Sequence, residues 1–156
     1  MSHSDLLDDF LSLSAALTGF SVAQLQGTGM ASTYYDELVA IVGDELTLAL
    51  IREGCLALRW PDDVEEQLRL RVMDDGDLGP LARNLAVLWY TGGWVQLPAD
   101  WRERHGASSL DSDRLLSARS WTEGLMWPAI GAHPTGAKAP GFASWVGPPS
   151  QGGDQP

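Results

Sequence analysis

Cysteine is nearly absent from this chain of 156 residues, where Cys55 stands alone. A single thiol excludes an internal disulfide and any zinc site built on paired cysteines. Between Gly54 and Leu56 it reads as a small buried hydrophobe. Lysine is equally scarce, with Lys138 the only one beside nine arginines and 21 acidic residues, for a formal net charge of -11. The chain thus lacks the basic face that phosphate binding needs, which argues against nucleic acid and against anionic membrane surfaces. No stretch approaches the ~20 apolar residues of a membrane span, so no direct membrane insertion is expected. The opening MSHSDLLDDF has neither a basic n-region nor a twin-arginine motif, so no export signal is expected in the chain as it stands.

Catalytic constellations are lacking too. His3, His105 and His133 are scattered, and none has metal-ligand spacing to another or to Cys55. Gly27-Thr28-Gly29 lacks the third glycine and the preceding strand of a dinucleotide fingerprint, and reads as a loop. Adjacent acids such as Asp8-Asp9, Asp62-Asp63 and Asp74-Asp75 point apart on a helix and make no acid–base pair. The expectation is a chain with no catalytic residue, no metal and no cofactor of its own.

What is present is helix signal. Leu6, Leu7, Phe10, Leu11, Ser14 and Leu17 form one stripe of a helix over 4–17, with Ser4 as its cap and Gly19 as its stop. Residues 20–31 read as a loop. Ser32 caps a second helix to Val42 with Tyr35, Leu38, Val39 and Val42 inward. Asp44 opens a third to Arg52, ended by Gly54. Leu56 to Trp60 fits a short strand or a helical turn equally. After Pro61 comes a charged helix over 62–74, with Val64, Leu68 and Val72 on one side. Pro80 suits the first position of a helix whose apolar face is Leu81, Leu85, Leu88 and Trp89, stopped at Gly92-Gly93. Residues 94–109 read as loop, and 111–118 as one or two helical turns. Ser120-Trp121-Thr122-Glu123 has the form of a capping box for a last helix that meets Pro128. No pair of alternating segments argues for a sheet. The fold class is all-α: a single helical domain of about five to seven short helices over 1–130, followed by an extended Pro/Gly-rich tail over 131–156.

That tail decides the functional reading. Pro and Gly break both regular ladders, so it builds no core of its own. It nevertheless carries Phe142 and Trp145, and solvated linkers are poor in large aromatics. Such a segment is a strap that needs a surface, supplied by this chain or by another protein. Seven tryptophans in so short a chain fit an interface as well as a core. The dense clusters are Leu88-Trp89-Tyr90, Trp121, Met126-Trp127, Phe142 and Trp145, aromatic and not polar, which suits protein binding better than catalysis.

These clusters carry a resemblance. Phe10 to Gly19 (FLSLSAALTG) is similar to an "F..LS..LTG" signature, and Leu81 to Gly92 (LARNLAVLWYTG) to an "I...WY.G" helix. Trp121 to Trp127 (WTEGLMW) resembles a "Y.EALMW" segment, and Pro140 to Trp145 (PGFASW) a "PG.W" tail. In this order over about residues 10–149 they resemble the small subunit of membrane-bound, FAD-dependent sorbitol, fructose and glucose dehydrogenase complexes. The resemblance implies a non-catalytic accessory subunit, chaperone-like, that binds, stabilises and helps mature or export a catalytic subunit of the glucose-methanol-choline type. It implies FAD in that partner and not in this chain, an iron-sulfur centre or a cytochrome c subunit reached through the complex, and a periplasmic heteromer. The partner interface it implies comprises Trp89, Tyr90, Trp121, Met126, Trp127, Pro140, Gly141, Phe142, Trp145, Pro148 and Pro149. The chain departs from the family in three ways. No twin-arginine leader is expected in it, which leaves open a signal on the partner, a leader outside these residues or a cytoplasmic location; it has His133-Pro134-Thr135-Gly136 where some relatives carry a cysteine; and it has a long segment over 94–117. The alternative is a stand-alone acidic helical module that binds an unrelated partner or small ligand.

Overall fold

The computed structural model describes residues 2–134. Among them the chain is all-α apart from one pair of two-residue strands.

Helix α1 (His3–Thr18) is capped by Ser2, whose hydroxyl accepts from Asp5 N while Asp5 accepts from Ser2 N. The cap therefore lies two residues before Ser4, because Asp5 serves equally well as the third residue of a capping box. Gly19 stops the helix in the left-handed conformation at φ 82°. The segment expected as a loop after it holds α2 (Val22–Thr28), capped by Ser21 and Gln24 in the same reciprocal way. Helix α3 (Ala31–Val42) starts from Met30 with no side-chain cap, so Ser32 lies inside it, and Tyr34, Tyr35, Leu38 and Ile41 are its buried residues.

Helix α4 (Asp44–Ala57) runs through Gly54 and does not stop there. A Cβ at Gly54 would lie 2.5 Å from Leu13, so the glycine is a contact point between α4 and α1. The charged stretch after Pro61 is three pieces: a 3-10 turn (Pro61–Asp63), α5 (Val64–Leu68) and a π-helical turn (Arg69–Met73) closed by Asp74 N donating to Arg69 O at 2.8 Å. Helix α6 (Leu78–Thr91) begins two residues before Pro80. The proline still lies in the first turn, where its missing N–H has no intrahelical partner to lose.

Strand β1 (Gly93–Trp94) pairs antiparallel with β2 (Arg114–Leu115), so 111–118 holds a strand where helical turns were expected. Between them α7 (Ala99–His105) replaces expected loop and buries Trp101. The last expected helix is divided. Ser117, not Ser120, caps α8 (Ala118–Thr122), and α9 (Met126–Ala129) follows with Pro128 inside it.

The core lies where α1 meets α3, α4 and α6. Phe10, Leu13, Leu38, Leu50, Leu81, Leu85 and Leu88 are fully buried there. Each such side chain contributes roughly 1.5–3 kcal/mol by leaving water. Trp89 is 1 % exposed, with its ring edge-on to Tyr34 at 4.8 Å. No single helix among the described residues is long and apolar enough to cross a membrane.

Candidate functional site

Three segments distant in sequence meet at one end of α6. The Tyr90 hydroxyl donates to Thr18 O at 2.6 Å, tying the end of α6 to the end of α1. Leu125 N donates to Trp89 O at 3.0 Å, and Ser120 Oγ donates to Gly92 O at 2.8 Å, tying the α8–α9 segment to the same helix end. Two glycines permit this approach. Gly92 has φ 76°, and a Cβ there would collide with the backbone of Ser120. A Cβ at Gly124 would lie 2.7 Å from Tyr90 O.

On this foundation stands an aromatic wall. Phe20 packs edge-on against Tyr90 at 5.9 Å. Trp121 and Trp127 meet edge-to-face at 5.1 Å, and Trp127 Nε1 donates to Trp121 O at 2.9 Å, which fixes the indole. Ala132 N donates to Trp127 O at 2.8 Å and leads the chain past the same ring. The result is an open cleft of about 710 Å³ between α2 and the α8–α9 segment, lined by Phe20, Trp127, Pro128, Glu123, His133 and Pro134 among others. Pro134 is buried at the point where the described chain ends. Ile130, between the lining residues Pro128 and Gly131 in sequence, is 72 % exposed. Glu123 acts beyond the wall: burial first, and then the Glu123 carboxylate, push the Tyr34 hydroxyl upward from the ordinary tyrosine range. Among the described residues that hydroxyl has no hydrogen-bond partner, so the Tyr34 ring contributes as a core aromatic.

Of the interface residues expected from the sequence, Tyr90, Trp121, Met126 and Trp127 are all half-buried and adjoin this region. Trp89 is corrected: its ring is core, and only its backbone carbonyl serves the site. Its neighbours on α6, Leu85 and Leu88, are buried as well, so the whole apolar face of α6 is spent inside. Pro140, Gly141, Phe142, Trp145, Pro148 and Pro149 lie outside the described residues. Sequence reasoning missed Phe20, Thr18 and Gly124, although Ser21 followed by Gln24 three residues on was a capping-box signal for the helix that carries one side of the cleft.

Elsewhere the chemistry is structural. Burial, then the Asp9 carboxylate, push the Cys55 thiol up to about 11, which leaves almost no thiolate at neutral pH. No group of three or more His, Cys, Asp or Glu side chains among the described residues is placed to hold a metal ion. The long 94–117 segment is organised by Asp111, 3 % exposed, which accepts from Trp94 Nε1 and Leu97 N and stands 2.9 Å from Arg102 Nε.

Compared with protein-family models, characterised proteins and solved structures, the chain matches none.

Proposed function

We propose that this chain is the accessory subunit of an FAD-dependent sugar or alcohol dehydrogenase of the glucose-methanol-choline type. In this role it binds and stabilises the catalytic flavoprotein, assists its maturation and export, and supplies no catalytic group. FAD belongs to the partner, electrons leave by an iron-sulfur centre or a cytochrome c subunit of the complex, and the assembly works in the periplasm.

One observation carries the reading. The segments that resemble the small-subunit signatures, 10–19, 81–92 and 121–127, are joined directly by the Tyr90–Thr18 and Leu125–Trp89 hydrogen bonds. Their junction forms the base from which the chain runs on toward Pro140 and Trp145. Residues far apart in sequence are thus devoted to one aromatic platform at the root of the strap. Aromatic anchors of this kind typically cost ~2 kcal/mol or more when truncated in an interface.

Co-expression with a glucose-methanol-choline-type flavoprotein encoded beside this chain tests the reading. Soluble, FAD-loaded dehydrogenase is expected only when both are made, and Trp145→Ala is expected to reduce its recovery. Equal recovery with and without this chain would sink the proposal.

A further inference from the structure

We infer that the groove between α1 and α4 is a self-association surface, through which two copies of this chain meet about a two-fold axis. The inference does not rest on the functional reading above, and this groove shares no residue with the aromatic cleft.

The starting point is an excess of apolar surface on α4. Its inward face, Thr47, Leu50, Ile51, Gly54 and Ala57, is fully used in the core. Leu48 and Leu56 lie eight residues apart on a second face, and with Leu6 of α1 they line an open groove of about 560 Å³. Leu48 is 42 % exposed, and Leu56 is half-buried. Core packing therefore does not account for this second stripe.

The charges around the groove are arranged in opposition. Arg52 and Arg59 stand on the α4 side, and Asp9 on the α1 side. In a chain this acidic, most described arginines are engaged: Arg69 with Glu66 and Asp74, Arg71 with Glu53, Arg102 with Asp111, Arg104 with Asp77 and Arg114 with Glu37. Among the described residues Arg59 makes no ion pair, and Arg52 has only a 3.8 Å approach to Glu53. Asp9 forms no ion pair with either arginine although all three border the same groove. An acid on one side, bases on the other and leucines between them make a self-complementary surface. A two-fold rotation brings Asp9 of each copy toward the Arg52–Arg59 side of the other and places leucine against leucine. Such an isologous contact covers the apolar stripe and gives Asp9 and Arg59 ion-pair partners that the described residues of the monomer do not supply, against the general repulsion of two acidic chains.

Sedimentation of the full chain over roughly a hundredfold concentration range tests this. A concentration-dependent dimer is expected. Leu48→Asp, on an exposed position, is expected to weaken it at least ~tenfold while the helical circular dichroism is unchanged. The decisive arm uses charge reversal. Arg52→Glu/Arg59→Glu and Asp9→Arg are each expected to be monomeric alone, because each pairs like with like across the axis. Mixed together they are expected to form a heterodimer, since acid then meets base at both ends. A wild-type chain that stays monomeric, a dimer indifferent to these substitutions, or a mixture that fails to associate would each overturn the inference.

Discussion

The Trp94 indole donates to the Asp111 carboxylate at 2.8 Å across seventeen residues of chain, and both side chains are buried. The same oxygen accepts from Leu97 N at 2.9 Å, and the other stands 2.9 Å from Arg102 Nε. One carboxylate thus accepts from an indole and a backbone amide and forms an ion pair with a guanidinium. Asp111→Ala is expected to cost about 3 kcal/mol, because it leaves buried donors unpaired. Urea denaturation followed by tryptophan fluorescence measures it, and a loss within ~0.5 kcal/mol, the range of an ordinary surface change, would refute the assignment.

The two helix-ending glycines Gly92 and Gly43 separate steric from conformational cost. Both have positive φ, 76° and 88°, but only Gly92 faces backbone, while a Cβ at Gly43 meets nothing within 4 Å. Gly43, at φ 88° and ψ 166°, sits where essentially only glycine is found, and Gly43→Ala is expected to cost roughly 1–3 kcal/mol through the backbone alone. Gly92→Ala adds displacement of Ser120 and is expected to cost clearly more and to loosen the α8–α9 segment. Equal melting shifts for the two variants would contradict this.

These cases show what the sequence makes legible. Helix α6 is readable because Leu81, Leu85, Leu88 and Trp89 repeat at helical spacing and Gly92 ends the run. Helix α7 is hidden because seven residues with five charged or ionisable side chains among them give no periodicity, and its burial of Trp101 depends on Trp101 Nε1 donating to Asp77 O, which is 24 residues away. Gly54 was legible as an interruption of a helix but not as a contact, since the reason for it is Leu13 on another helix. Asp111 looks like any loop acid until the donors around it are assembled in space. The same limit explains Trp89: an aromatic on an amphipathic helix suits core and interface alike, and only the packing of α1 and α3 against it decides.

Asp77 gives a pH dependence with a definite sign. The hydrogen bond from His105, at 2.8 Å, and then that from Arg104 hold its carboxyl below the ordinary carboxylate range. A depressed folded-state value means the contribution to stability is complete above about pH 4 and is lost as pH falls through the folded-state value. Stability of wild type relative to Asp77→Asn is therefore expected to shrink as pH falls below about 4. A difference that grows on acidification would show the sign to be wrong.

Ile130 tests the platform apart from the strap. Its side chain is mostly in solvent, so Ile130→Asp is expected to leave the unfolding midpoint unchanged within ~0.5 kcal/mol. Co-purification of the flavoprotein is expected to fall. Unchanged recovery would confine the interface to other residues.

The Tyr90–Thr18 bond also carries a timetable. Thr18 leaves the ribosome 72 residues before Tyr90, which at ~5–20 residues per second is a delay of several seconds, and Leu125 follows later still. The first helix must wait for the sixth, and the platform for both. Until Leu125 is in place the junction of α1, α6 and the α8–α9 segment stays open, so this end of the fold closes only after most of the described residues have been made.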